Sequence, residues 1–152
     1  ARDHSRLVNL VIDDFKHSQE QGHPIHFVSA NARAVSDWLL HQTDLEVVLP
    51  GVKGTSGRLL GARKCTIEGR PAAFVMYEIR GVPTSLVAVA AGNHTLDQMR
   101  QIEHNGRIYW VDHCEGFSIV AYRKDNLVYA MVSKLNEQEL IQFLSGAANE
   151  SY

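Results

Sequence analysis

From Leu59 onward the chain alternates β-prone runs with turn chemistry, and this rhythm restricts the fold more tightly than any other feature of the sequence. Leu59 to Ile67, Ala72 to Ile79 and Thr84 to Ala90 are strand-length runs separated by Glu68-Gly69 and Arg80-Gly81. Asn105-Gly106, between Arg100-to-His104 and Arg107-to-Val111, is the strongest short hairpin signal. Two further runs, Phe117 to Tyr122 and Leu127 to Ser133, flank the polar turn Lys124-Asp125-Asn126. Consecutive hairpins of this kind predict an antiparallel meander. In Ala72 to Ile79 both alternating sets are apolar, Ala72, Phe74 and Met76 on one side and Ala73, Val75 and Tyr77 on the other. That is the pattern of a central strand covered on each face.

Helices supply the cover. Leu7, Leu10, Val11 and Phe15 recur at spacings of three and four, predicting an amphipathic helix over residues 5–19 that Gly22 and Pro24 end. After a short β-prone segment, Ile25 to Val28, the polar run Ser29 to Asn31 offers N-cap chemistry to a second helix. This helix carries Val35, Trp38 and Leu39 on one stripe and stops near Thr43. Leu45 to Leu49 reads as another strand, followed by a polar loop with Gly51, Gly54 and Gly57. Residues 94–99 suggest a helical turn. The closing helix, Glu137 to about Ser145, is the best specified: Asn136 caps, Glu139 completes a capping box, Leu135 staples onto Leu140, and Gly146 stands where a C-terminal cap belongs. Residues 147–152 read as a tail. The predicted class is α+β: mainly an antiparallel meander packed with an N-terminal, an internal and a C-terminal helix.

With 152 residues, 45% of them hydrophobic and 21% charged, the chain is long and apolar enough for one domain with its own core. Lys plus Arg number 15 against 17 Asp plus Glu, so there is no basic field to hold a phosphate backbone, and nucleic acid is not an expected partner. No run approaches the roughly 18–20 apolar residues of a membrane span. The sequence begins at Ala1, not Met, and Ala1-Arg2-Asp3-His4 lacks the apolar stretch of a signal peptide, so an upstream segment is expected.

Catalytic chemistry is not evident. The glycines at 51, 54, 57 and 61 match neither a P-loop nor a dinucleotide fingerprint, and no serine lies in GxSxG. Asp112-His113-Cys114 resembles a catalytic Cys/His pairing, but neighbours on a strand point to opposite faces. Asp13 and Asp14 read as a solvated helix face. Trp38, Trp110, Tyr77, Tyr109, Tyr122 and Tyr129 sit at core-like positions, although aromatic residues can also line a pocket.

Two residue sets retain a second reading. Cys65 and Cys114 belong to no CxxC motif. In an oxidising compartment a bridge closing their loop of about 50 residues would stabilise by roughly 4 kcal/mol in the chain-entropy model. The alternative is two small, separate, buried thiols. Among the 8 histidines, His17 on the first helix and His23 and His26 around the Pro24 bend could converge, with Asp14, on a transition metal or serve haem. Surface histidines explain the same residues, and no HxxxH or HExxH spacing occurs.

Several stretches taken together resemble one family. They are Phe27-Val28-Ser29 before a helix with Val35-Ser36-Asp37-Trp38-Leu39, Leu49-Pro50 followed by Leu60-Gly61-Ala62-Arg63, and Gly69-Arg70-Pro71-Ala72-Ala73 leading to Tyr77. Gly116-Phe117-Ser118-Ile119-Val120 follows, and then Leu127-Val128-Tyr129-Ala130-Met131-Val132-Ser133 before the last helix. In their order and spacing, from about Asp13 to Leu144, they are similar to the extracytoplasmic domain of membrane-anchored anti-sigma factors of the zinc-finger type.

The resemblance implies a non-enzymatic periplasmic sensor or regulatory domain, held at the inner membrane by a preceding transmembrane helix. The helix over 5–19 would then be a juxtamembrane element. A sigma factor would be bound only by a cytoplasmic part, whose His-x3-Cys-x2-Cys motif these residues lack. Redox state at Cys65 and Cys114 or a metal at the histidines would be the inputs with residues to carry them. A homodimer through a strand edge or the first helix is a further expectation. The alternative is a free-standing module that binds a metal, haem or small ligand.

Overall fold

The computed structural model describes residues 5–21, 25–92 and 96–146. Helix α1 (Arg6–Gln21) is followed by the short strand β1 (Phe27–Val28) and helix α2 (Ala32–Thr43). Seven strands come next: β2 (Gly57–Ile67), β3 (Arg70–Ile79), β4 (Val82–Ala90), β5 (Arg100–His104), β6 (Arg107–Cys114), β7 (Phe117–Lys124) and β8 (Leu127–Ser133). Helix α3 (Glu137–Gly146) closes the described chain. The α+β class with a β meander is what the turn rhythm predicted.

All eight strands form one antiparallel sheet in the order β1-β2-β3-β4-β8-β7-β6-β5. The meander is therefore in two parts. β2 to β4 step inward from one edge, the chain then crosses to the opposite edge, and β5 to β8 step back until β8 pairs with β4. The turns explain why every step is a tight hairpin. Glu68-Gly69, Arg80-Gly81, Asn105-Gly106 and Glu115-Gly116 all have positive φ at both positions, the twist-matched two-residue geometry. In the crossover, residues 94 and 95 of the expected helical turn lie outside the described residues. The remainder forms a simple turn, with the Met99 N–H donating to the Leu96 carbonyl at 3.0 Å.

Gly61 is a position only glycine can fill. The β2–β3 register slips between Leu59 and Gly61, and Gly61 adopts φ 148° at this bulge. A Cβ there would stand 2.3 Å from the Phe27 carbonyl oxygen, so the bare backbone is what lets β1 pair with β2.

The three helix starts and the end of α2 are specified locally. The Asn31 side chain accepts from the Ala34 N–H at 2.9 Å, and Asp44 in the left-handed conformation ends α2. The α3 capping box forms as predicted, with the Glu139 N–H donating to Asn136 Oδ1 at 2.8 Å and the Asn136 N–H to Glu139 Oε1 at 3.4 Å. Ser5 Oγ caps α1 by accepting from the Val8 N–H at 3.2 Å. The buried stripe of α1 is Leu7, Val8, Val11, Ile12 and Phe15, while Leu10 lies at its margin, half-buried. The stripe is thus rotated from the one drawn through Leu10, because Val8 and Ile12 meet the sheet.

The sheet is covered on both faces. α2, α3 and the segment after α2 pack on one, with Val75, Tyr77, Leu86, Tyr129 and Met131 among the buried strand residues. α1 packs on the other, over Phe74, Met76, Val87, Val128 and Val132. One expectation is overturned: Leu45 to Leu49 is not a strand. β1 and β5 already occupy the two sheet edges, so this segment lies across a sheet face and buries Val47 and Leu49. Its polar backbone is satisfied from below, since the Val48 N–H donates to Tyr129 Oη at 2.9 Å and Tyr77 Oη donates to the Pro50 carbonyl at 3.0 Å.

Candidate functional site

Charge is concentrated on the face beneath α1. Arg63 of β2 is only 7% exposed. Its Nη2 donates to Asp14 Oδ2 of α1 at 2.8 Å, and its guanidinium carbon lies 4.0 Å from the Phe74 ring centroid. Arg63 Nε has no hydrogen-bond partner. A guanidinium held by one carboxylate and one aromatic face ties α1 to the sheet, and its remaining unmet donor makes the tie incomplete. Exposed ion pairs mark the two ends of the helix, Arg6 to Glu68 at 2.5 Å and Lys16 to Glu115 at 2.7 Å. These add little stability but fix the direction in which α1 crosses the sheet.

Both thiols lie on this face, and the fold keeps them apart. Cys65 is on β2 and Cys114 on β6, five strand spacings away across the order of the sheet, on the order of 24 Å. A disulfide requires Cα atoms roughly 6 Å apart. The bridge considered from sequence is therefore replaced by two separate free thiols. This is the second of the two readings the sequence left open, and its cause is the crossover after β4, which sends the second set of strands to the far edge. Burial pushes the Cys65 thiol up to about 11, with Asp14 adding to the effect and Arg63 opposing it. Cys114 is also raised, first by burial and then by Glu115, Asp112 and Asp13, against Lys16. Both are held protonated near neutrality, the reverse of the activated thiolate on which rapid redox sensing depends.

His17 is exposed on α1. His26 is exposed beside Trp38, at a ring separation of 6.5 Å, and His23 lies outside the described residues. Among the described residues no group of three or more His, Cys, Asp or Glu side chains is arranged to hold a metal ion. His113 and Cys114 point to opposite faces, as strand alternation requires. The imidazole approaches Glu137 of α3 at 3.4 Å, and Arg100 holds that same carboxylate at 2.6 and 2.7 Å. The four tyrosines singled out from sequence are buried, and the two tryptophans are half-buried.

A groove of about 290 Å³ opens where α1 leaves the sheet. Phe15, Lys16 and Gln19 form its helix wall, and Val82, Pro83, Phe117 and Lys134 form the sheet side. The Lys134 ammonium stands 5.9 Å from the Phe117 ring centroid. Ser85 follows Pro83 on the same face, opposite Val132, and is fully buried with a hydroxyl that has no hydrogen-bond partner. Sequence reasoning passed over Arg63, Ser85 and Lys134. For Arg63 and Ser85 the available signal was polarity at alternating positions inside otherwise apolar strands; Lys134 follows β8 and carries no such signal. No family model matches the chain, and neither a curated protein nor a solved structure is significantly similar to it.

Proposed function

We propose that this chain is the non-enzymatic regulatory domain of a membrane-anchored anti-sigma factor, on the periplasmic side of the inner membrane, coupling an envelope signal to sigma-factor release. The ordered set of motifs from Asp13 to Leu144 supports the family. The observation that carries the regulatory role is the attachment of α1, which packs its apolar stripe on one sheet face beside Leu96 and Met99 and adds a partly satisfied Arg63–Asp14 pair. A docked and an undocked α1 are two states that a signal can distinguish, as any coupling device requires. No helix among the described residues is long and apolar enough to cross a membrane, so anchoring and sigma-factor binding fall in this reading to segments outside them.

The coding sequence upstream of Ala1 tests the proposal. An apolar span preceded by a Cys/His zinc motif is the expected result. A cleavable signal peptide alone would defeat it in favour of a free-standing ligand-binding module, the reading that the groove beneath α1 favours. Dimerisation through a sheet edge has little physical support: β1 is two residues long, and β5 presents Arg100, Glu103 and His104, charges of the kind that discourage edge pairing.

A further inference from the structure

We propose that the groove between α1 and the ends of β4, β7 and β8 binds a single-chain fatty-acid carboxylate. Three observations converge on that chemistry. The floor is apolar, with Phe15, Phe117 and Pro83 contributing ring and methylene surface. The volume of about 290 Å³ lies near the lower end of the ~300–1,000 Å³ typical of small-molecule pockets, which suits one unbranched chain rather than a two-chain lipid. The charge at the mouth is positive. Lys16 is shared with Glu115, whereas Lys134 has no carboxylate partner among the described residues and rests over the Phe117 ring.

An ammonium poised over an aromatic ring beside an apolar trough is complementary to a carboxylate whose chain lies in the trough. The site does not depend on the anti-sigma role, because its residues belong to the folded domain alone. Since α1 forms one wall and the sheet the other, an occupant would bridge the two and favour the docked helix.

Calorimetric titration of the purified full chain with dodecanoate, below its micellar concentration, tests the site, with dodecanol and dodecyltrimethylammonium as matched probes. Dodecanoate is expected to bind at one site, dodecanol at least tenfold more weakly, and the cation not measurably. Gln19→Trp, which fills the trough from an exposed position on the helix wall, should abolish binding, and Lys134→Glu should weaken it tenfold or more. Circular dichroism establishes that each variant is folded; Gln19→Phe replaces Gln19→Trp, and Lys134→Gln replaces Lys134→Glu, where either is not. Equal binding of all three probes, or unchanged dodecanoate affinity in folded Gln19→Trp and in the Lys134 variant, would overturn the proposal.

Discussion

Tyr77, Tyr109, Tyr122 and Tyr129 all face α2 and α3, whereas both thiols and the buried charges Arg63 and Asp112 face α1. The tyrosine face is held by ring contacts and by hydroxyls that reach the chain above. Tyr122 stacks on Tyr129 at 4.9 Å, Tyr109 meets Tyr122 edge-on at 6.2 Å, and the segment after α2 hangs from Tyr129 and Tyr77. The α1 face is held by apolar contacts, among them Phe15 edge-on to Phe117 at 5.2 Å, by two exposed ion pairs and by one incomplete buried pair, and it opens into a groove at one end. One face reads as permanent core, the other as a core with a detachable cover.

Alkali should give the largest effect, and it acts on the tyrosine face. Burial raises all four tyrosines above their ordinary value of 10, Tyr77 and Tyr122 most strongly. The folded state therefore holds their protons longer than the unfolded chain does. Their stabilisation is complete below pH 10 and is lost as pH rises beyond it, at on the order of 1 kcal/mol per pH unit for each deeply buried ring. Cys65 adds loss of the same sign between pH 9 and 11. Tyrosinate absorbance should appear together with loss of the sheet's circular dichroism. A gradual tyrosinate signal in a folded protein would show that the tyrosine face is open, and the contrast between the faces would fail.

Truncations of matched size sharpen the contrast. Leu86 and Ile12 are both fully buried, one beneath α2 and α3, the other in α1. Leu86→Ala should cost about 3 kcal/mol in urea unfolding, spread over the whole sheet. Ile12→Ala should cost less, about 2 kcal/mol. Its mark should be faster amide exchange in α1 than in β3 or β8. Uniform exchange in both variants would mean that α1 opens only when everything does.

Asp14→Ala probes the cover directly. Removing one partner of a fully buried pair costs roughly 3–5 kcal/mol, and Asp14 keeps 24% of its side-chain exposure, so a loss of about 2 kcal/mol is expected. Alkylation of Cys65 should accelerate, since its thiol lies near Asp14. Adding Arg63→Met should restore stability by removing the stranded charge. A double variant less stable than Asp14→Ala would show that the Arg63–Phe74 contact carries the attachment instead.

The strands were legible because each hairpin is written in two adjacent residues, and the α3 boundary because Asn136 and Glu139 reciprocate within one turn. The strand order was not legible, since the chain leaves β4 by a crossover to β5 at the far edge, and no local residue encodes its direction. The separation of Cys65 from Cys114 follows from that same crossover. Leu45 to Leu49 read as a strand because an aliphatic run records burial and not hydrogen bonding. Its backbone partner, Tyr129, lies 81 positions away in sequence. Arg63 was hidden for a related reason: a cation in a strand normally marks the solvent side, and here Asp14 from another element makes the buried side tolerable.

The smallest effect compares the helix caps. Asn136 Oδ1 receives the Glu139 N–H at 2.8 Å, and Ser5 Oγ receives the Val8 N–H at 3.2 Å. Replacing either by Ala should cost about 1 kcal/mol. If α3 is part of the permanent core, the Asn136→Ala loss appears in global urea unfolding, because α3 cannot fray without exposing Leu140, Phe143 and Leu144 against the sheet. If α1 is a cover, much of the Ser5→Ala loss appears instead as faster exchange in α1 and faster alkylation of Cys65, with a smaller change in the global midpoint. Equal shifts of the midpoint in the two variants, with Cys65 alkylation unchanged, would place α1 in the same cooperative unit as α3 and leave no separate state for a signal to select.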